Sequence, residues 1–191
     1  MPKLWRETIE SHRRDVRDTV LSTAAALVVE HGVRSVTMSQ IAETAGIGRA
    51  TLYKYFPDVD AILRSWHRCQ IDSHLHRLRD ISESAGSAYQ RLTAALTAYA
   101  HIQQHSGRHD AELVRLVHAD EHVDAARCEL RDVVARLIAD SAAAGQVRTD
   151  VDAAELATFC MHALTAAGDL RGDEAVARLV SVTMDALRIH P

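Results

Sequence analysis

The sequence has few of the residues that interrupt helices. Its 191 residues include 3 prolines and 8 glycines, and aromatic residues make up 4%. So few turn-forming residues argue against a sandwich of short strands, and the abundant Ala, Leu, Val, Arg, Asp and Glu favour helices. Scarce aromatic rings also argue against a cage for a large planar cation. We therefore expect an all-α fold.

Cysteine is scarce as well, and the three present are far apart: Cys69, Cys128 and Cys160. An odd number without CxxC spacing argues against a disulfide framework and a cysteine zinc knuckle. We interpret all three as small, buried or half-buried apolar side chains.

Long apolar runs are missing too. No stretch approaches the roughly 20 residues that cross a bilayer, and the start of the chain, MPKLWRETIESHRRD, alternates charges as a signal peptide does not. A cytoplasmic protein without a membrane partner is expected. No Ser-His-Asp arrangement or Gly-rich phosphate loop occurs, so we assign no catalytic residue, no cofactor and no enzymatic activity.

Charge is divided unevenly along the chain. Residues 1–57 carry eight basic and six acidic side chains, whereas the remainder carries 14 basic and 20 acidic ones. A mildly basic head on an acidic body is expected when one end of a protein meets phosphates and the other does not.

The pattern of residues 1–57, the basic head, predicts three helices. Apolar residues at three- and four-residue steps predict a first helix over residues 15–31, which Gly32 ends. Thr37 to Gln40 (TMSQ) has the pattern of a capping box, so a short second helix begins at Met38. Gly46 supplies the turn to a third helix over residues 48–55, and Asp58 caps the next one.

The pattern of residues 58–191, the acidic body, predicts further helices and no strand. They are predicted at residues 59–81, 88–104, 109–119, 123–144, 152–170 and 174–189. The whole chain is therefore predicted to be all-α, with about nine helices.

The third helix, GRATLYKYF, carries many donors for phosphates and base edges on a segment pinned by Leu52 and Phe56. The stretch from Asp18 to Leu63 resembles the N-terminal domain of the TetR repressor family. The resemblance is carried by the Ala-rich first helix ending at His31-Gly32, by Thr37, Ile41-Ala42, Ala45-Gly46-Ile47, and by Thr51-Leu52-Tyr53-Lys54-Tyr55-Phe56.

This resemblance implies a helix-turn-helix DNA-binding domain over residues 1–57 and a ligand-binding and dimerisation domain over residues 58–191. Thr37 and Ser39 would sit near phosphates, and Arg49 and Thr51 would touch bases. The backbone would be held by the remaining positions, which are Gly48 at the helix start, Tyr53 and Lys54.

One departure from the family concerns charge. Where the family usually carries Lys at the start of the fourth helix, this sequence has Asp58 and Asp60. We hypothesise that Arg13, Arg14 and Arg17 replace the missing positive charge.

Twelve histidines raise the question of metal binding. His118, Glu121 and His122 match the H-x-x-E-H pattern of inverted zinc proteases, but the pattern alone is weak, and an exposed polar helix end explains the same residues. A metal-responsive regulator using some of these histidines (His101, His105, His109, His118 and His122) and a zinc-dependent hydrolase remain alternatives. We assign no metal ligand.

The resemblance implies an effector pocket within residues 59–144, whose lining we nominate by residue type: Trp66, Tyr89, Tyr99, Ile102, Leu113 and Leu116. Plain core packing is the alternative for each. Apolar stripes in the last two helices, with small residues such as Ala163 and Gly168, suit a homodimer. We therefore expect a repressor, or alternatively an activator, that binds palindromic double-stranded operator DNA as a dimer and is released by a small-molecule effector.

Overall fold

The computed structural model describes residues 3–106 and 121–189, with side chains from 11 to 105 and from 122 to 189. In this part of the chain there are eight α-helices and no strand, which confirms the all-α prediction. The helices are α1 (Lys3–His31), α2 (Met38–Thr44), α3 (Arg49–Tyr55), α4 (Val59–Glu83), α5 (Ala88–Ser106), α6 (Glu121–Ala143), α7 (Ala153–Thr165) and α8 (Asp173–Ala186). The helix predicted at residues 109–119 lies outside the described residues.

Two helix ends differ from the prediction by five residues or more. Helix α1 begins at Lys3, well before residue 15. The added residues are mostly polar, so they carry no apolar periodicity, but none of them breaks a helix. Helix α7 stops at Thr165 and continues as a 3₁₀ turn over Ala166–Asp169. Asp152 caps α7 as predicted, because its side chain accepts from Ala154 N at 2.8 Å.

The described residues form two compact units, the first ending at Gln70 and the second beginning at Ile71, so α4 contributes to both. In the first unit α1 packs against α2, and α2 against α3. Its core is formed by aliphatic side chains that are at most 4% exposed: Val20, Leu21, Ala24, Ile41, Leu52, Ile62 and Leu63.

Helix α5 is central to the second unit, where it packs against α6, α7 and α8. The largest fully buried side chains of this core include Leu92, Leu96, Val134, Ile138, Leu164 and Leu187. Removing such a side chain from water contributes about 1.5–3 kcal/mol. None of the described helices is long and apolar enough to cross a membrane.

The interpretation of the cysteines is wrong for two of the three. Cys69 and Cys128 are exposed, because each lies on the outer face of its helix, and only Cys160 is buried. Burial raises the pKa of the Cys160 thiol to about 12.

Candidate DNA-binding surface and effector region

Helix α2 begins with the predicted capping box. Gln40 N donates to Thr37 Oγ1 at 3.3 Å, and Thr37 N donates to Gln40 Oε1 at 2.9 Å. Two amides that the helix itself leaves unpaired are thereby satisfied. The start of α2, with Ser39 exposed beside it, is fixed by contacts within four residues.

The turn between α2 and α3 depends on a glycine. Gly46 has a φ of 67°, a conformation that side-chain-bearing residues rarely adopt. Its N–H donates to Glu43 O at 3.1 Å, and Ile47 N donates to Ala42 O at 3.0 Å. This pair of bonds is a Schellman motif, which closes α2 and sends the chain directly into α3.

Helix α3 has one buried and one open face. Leu52 is fully buried, and Phe56, which follows the helix, is 3% exposed. The open face carries the predicted donors Arg49, Thr51, Tyr53 and Lys54, all exposed. The helix is therefore held by its apolar side, and four side chains with hydrogen-bonding groups face solvent.

Gly48 caps α3 without needing to be glycine. Its φ of −67° and ψ of 139° suit any residue. A Cβ built there would meet only Thr51 Oγ1, at an ordinary 3.8 Å. Neither backbone conformation nor packing within the described residues accounts for the missing side chain.

Charged groups surround the end of α3. The Arg17 guanidinium of α1 lies over the Phe56 ring, 5.3 Å from its centroid. Asp58 Oδ1 accepts from Ala61 N at 2.7 Å, which confirms the predicted cap of α4, and lies 4.0 Å from a terminal nitrogen of Arg64. Sequence reasoning missed the Arg17 and Arg64 contacts. Arg17 and Phe56 are 39 positions apart, and no local sequence pattern indicates such a pair.

The residues nominated for an effector pocket lie in different environments. Tyr99 is buried in the core of the second unit, and Tyr89 and Ile102 are half-buried against that core. Trp66 is half-buried and belongs to the first unit. Leu113 and Leu116 lie outside the described residues. Burial raises the pKa of the Tyr99 phenol, an effect that Arg127 partly opposes, so its hydroxyl remains a donor at neutral pH.

Tyr89 also borders an open surface depression of about 350 Å³, with Gln146, Arg188 and Ile189. Sequence reasoning missed the last three, because they come from the loop after α6 and from the chain after α8.

Of the zinc-protease pattern, His118 and the side chain of Glu121 lie outside the described residues. His122 Nε2 lies 2.8 Å from Asp72 Oδ1 of α4. His105 Nδ1 lies 2.7 Å from His101 O within α5. In the part of the chain that the structure describes, no three His, Cys, Asp or Glu side chains lie close enough together to hold a metal ion.

Two short helices joined by a tight glycine turn, with an outward row of donors on the second, define a helix-turn-helix surface. Residues 20–65 match the bacterial regulatory proteins of the tetR family. Residues 78–189 match the C-terminal domain of SbtR-like transcriptional regulators. The chain belongs to the TetR family of transcriptional regulators.

Individual relatives agree with this assignment. The chain is 38% identical over 58 residues to an uncharacterized HTH-type transcriptional regulator of Mycobacterium tuberculosis, covering 30% of this chain and 31% of the relative. It is 31% identical over 105 residues to the repressor KstR2 of the same species, covering 55% of this chain and 50% of KstR2. The matches thus span half or less of these relatives.

The fold is shared over nearly the full chain. The crystal structure of a TetR/AcrR-family regulator from Thermobifida fusca has a TM-score of 0.74 at 21% identity, covering 92% of this chain and all of the other.

Proposed function

We propose that this protein is a ligand-responsive repressor that binds a palindromic operator as a homodimer and leaves it when a small molecule binds. The observation that carries this proposal is that α3 has one buried apolar side and one exposed side with hydrogen-bond donors. Leu52 and Phe56 anchor the helix, whereas Arg49, Thr51, Tyr53 and Lys54 are exposed. A rigid helix with an open row of donors suits the major groove. The protein is accordingly proposed to act in the cytoplasm, where its operator DNA is.

The proposed contacts divide by chemistry. Arg49 and Thr51, in the first turn of α3, reach base edges, and Tyr53 and Lys54 hold the backbone. Ser39 and Thr37 approach a phosphate at the start of α2. Gly48 fits the same scheme, since a bare backbone lets a phosphate come close to the first amides of α3.

Exposed apolar side chains on the last two helices support a homodimer. Leu156 and Cys160 of α7 and Val180 of α8 are buried in the core of their own unit. By contrast, Phe159 is 47% and Val182 is 66% exposed. Core packing within one chain leaves these two side chains in water, whereas a second copy of α7 and α8 covers them.

The effector is proposed to bind in the second unit, near Tyr99, Tyr89 and Ile102, where a phenol donor lies within apolar surroundings. Helix α4 connects this region to the DNA-binding head, because its residues belong to both units. An effector that prefers a conformation unable to place both heads on the operator shifts the population off DNA, by at most its differential affinity for the two states. Repression is proposed on the likeness to KstR2, a named repressor.

The proposed DNA contacts are tested by fluorescence anisotropy with the DNA that lies upstream of the gene for this protein. We expect Arg49→Ala to lose the preference for this DNA over a random duplex, costing about 1–3 kcal/mol, and Lys54→Ala to weaken binding to both duplexes alike. Arg136→Ala, an exposed arginine of α6, is the charge-matched control and leaves binding unchanged. Wild-type affinity in both α3 variants would refute the assignment.

The proposed effector site is tested by purifying the protein from cells in which its regulated genes are active and crystallising it. We expect electron density for a small molecule beside Tyr99. A bound molecule that releases DNA from a position outside the second unit would contradict the proposed site.

A further inference from the structure

Arg17 of α1 contacts the aromatic ring of Phe56, the residue that follows α3. Its guanidinium carbon lies 5.3 Å from the centroid of Phe56. Phe56 is itself fixed, because it is 3% exposed and its N–H donates to Leu52 O at 3.0 Å at the end of α3. The positive charge of Arg17 therefore lies at a defined place beside the C-terminal end of α3, two residues beyond Lys54.

The charge of Arg17 is exposed and has no carboxylate partner among the side chains that the structure describes. Arg13 and Arg14 precede it by four and three residues, so the three arginines share one face of α1. Asp15 lies on the side of the helix opposite Arg17, whereas Asp18, four residues after Arg14, lies on the same side as Arg14. Arg13 and Arg17 are like charges four residues apart, a spacing that destabilises a helix, and an anion beside them would remove that penalty.

The nearest carboxylate along the chain from Phe56 is already engaged. Asp58 Oδ1 accepts from Ala61 N at 2.7 Å and lies 4.0 Å from a terminal nitrogen of Arg64. Its negative charge thus serves the start of α4 and does not neutralise Arg17.

An arginine that lies over an aromatic ring is attracted to the ring by its charge, so its N–H groups remain available for other partners. Those groups match the oxygens of a phosphate in a two-pronged hydrogen bond. We propose that Arg17, held by Phe56, is a preformed clamp for a phosphate of the DNA backbone next to the one held by Lys54. Phe56 then has two functions, as an anchor of α3 and as the platform that orients the clamp. This inference rests on the proposed DNA binding.

Salt dependence of binding tests the clamp. The dissociation constant is measured over a series of salt concentrations with a random-sequence duplex of roughly 30 base pairs, for which phosphate contacts supply nearly all the affinity. We expect Arg17→Ala to reduce the slope of log affinity against log salt by about 0.9 for each bound protomer. Lys54→Ala reduces the slope similarly, and Arg136→Ala leaves it unchanged.

Phe56→Leu tests the platform, since it keeps apolar volume in the core but removes the ring. We expect it to weaken binding in the wild-type background and to add no loss in the Arg17→Ala background, because the two side chains act as one unit. Circular dichroism and thermal unfolding verify that every variant is folded.

The outcomes separate this inference from the proposed function. An unchanged slope in folded Arg17→Ala, together with a reduced slope in Lys54→Ala, overturns the clamp and leaves DNA binding in place. A lower unfolding temperature with an unchanged slope assigns Arg17 a purely structural role and also overturns the clamp. If the wild-type protein binds no duplex, both proposals fail.

Discussion

His122 Nε2 lies 2.8 Å from Asp72 Oδ1, and seven residues further along both helices Arg79 Nε donates to Glu129 Oε1 at 2.6 Å. Both pairs join α4 to α6 at the same offset of 50 residues. The helices therefore run in the same direction, with one polar bridge per two turns. Both bridges lie within the second unit, where they join the C-terminal part of α4 to α6.

These bridges are expected to add little to the free energy of unfolding. The side chains of Arg79 and Glu129 are 47% and 39% exposed, so solvent screens their attraction. A double-mutant cycle with Arg79→Met and Glu129→Gln, followed by urea unfolding, is expected to give a coupling below about 1 kcal/mol. A coupling several times larger would mean that the bridge contributes substantially to holding α4.

The capping box of α2 separates stability from DNA contact. Gln40→Ala removes the acceptor for Thr37 N, and we expect it to lower the free energy of unfolding by about 1 kcal/mol. Ser39 lies in the same turn but makes no capping bond. Ser39→Ala is therefore expected to weaken DNA binding and to leave the free energy of unfolding unchanged. Urea unfolding and anisotropy measured on both variants give the comparison. Equal stability loss in the two variants would contradict it.

Dimer formation is expected to depend on Phe159 and Val182. Introducing a carboxylate by Phe159→Glu or Val182→Glu places a charge in the proposed interface, and we expect self-association to weaken at least tenfold, about 1.4 kcal/mol. Sedimentation velocity measures the effect. Val29→Glu is the matched control, since Val29 is 70% exposed on α1. If all three variants sediment as the wild type does, α7 and α8 are not the interface.

Thiol chemistry is expected to divide the cysteines. Cys69 and Cys128 are exposed and react with Ellman's reagent in the folded protein. Cys160 does not, because a pKa of about 12 leaves roughly one thiolate in ten thousand at about pH 8. The variant with Cys69→Ser and Cys128→Ser should react only after guanidinium unfolds it. Rapid labelling of this folded variant would place Cys160 in contact with solvent.

Mild acid is expected to destabilise the protein through His74. Burial, and secondarily Arg77, lowers the pKa of His74 below its ordinary 6.5. Below that pH the unfolded chain binds the proton more readily than the folded chain, so stability falls as pH falls. Urea unfolding at about pH 7.5 and about pH 5.5 measures the loss, which His74→Gln should reduce. His76→Gln, an exposed neighbour on α4, should retain the wild-type loss.

Local patterns were sufficient for much of the first unit. The capping box at Thr37, the turn at Gly46 and the cap at Asp58 each involve atoms within about five residues, so the amino-acid order alone determines them. Periodicity also located the helices of the body, because an apolar stripe is needed wherever a helix packs. The polar start of α1 gave no such signal.

Solvent exposure could not be read from residue type. Cys69 and Cys128 looked like core residues and face solvent, and Phe159 stands in the same stripe as Leu156 and Cys160 but points away from their core. A stripe identifies an apolar side of a helix, yet the positions of the neighbouring helices decide which of its side chains are covered.

By itself, the sequence determined that the chain is helical, where its helix-turn-helix lies and to which family it belongs, since these depend on near neighbours and on periodicity. Only the tertiary structure decided that Arg17 meets Phe56, that His122 meets Asp72 and that Tyr99 is buried. Such contacts join residues tens of positions apart, and they exist only because many weak packing interactions fix the helices in one arrangement.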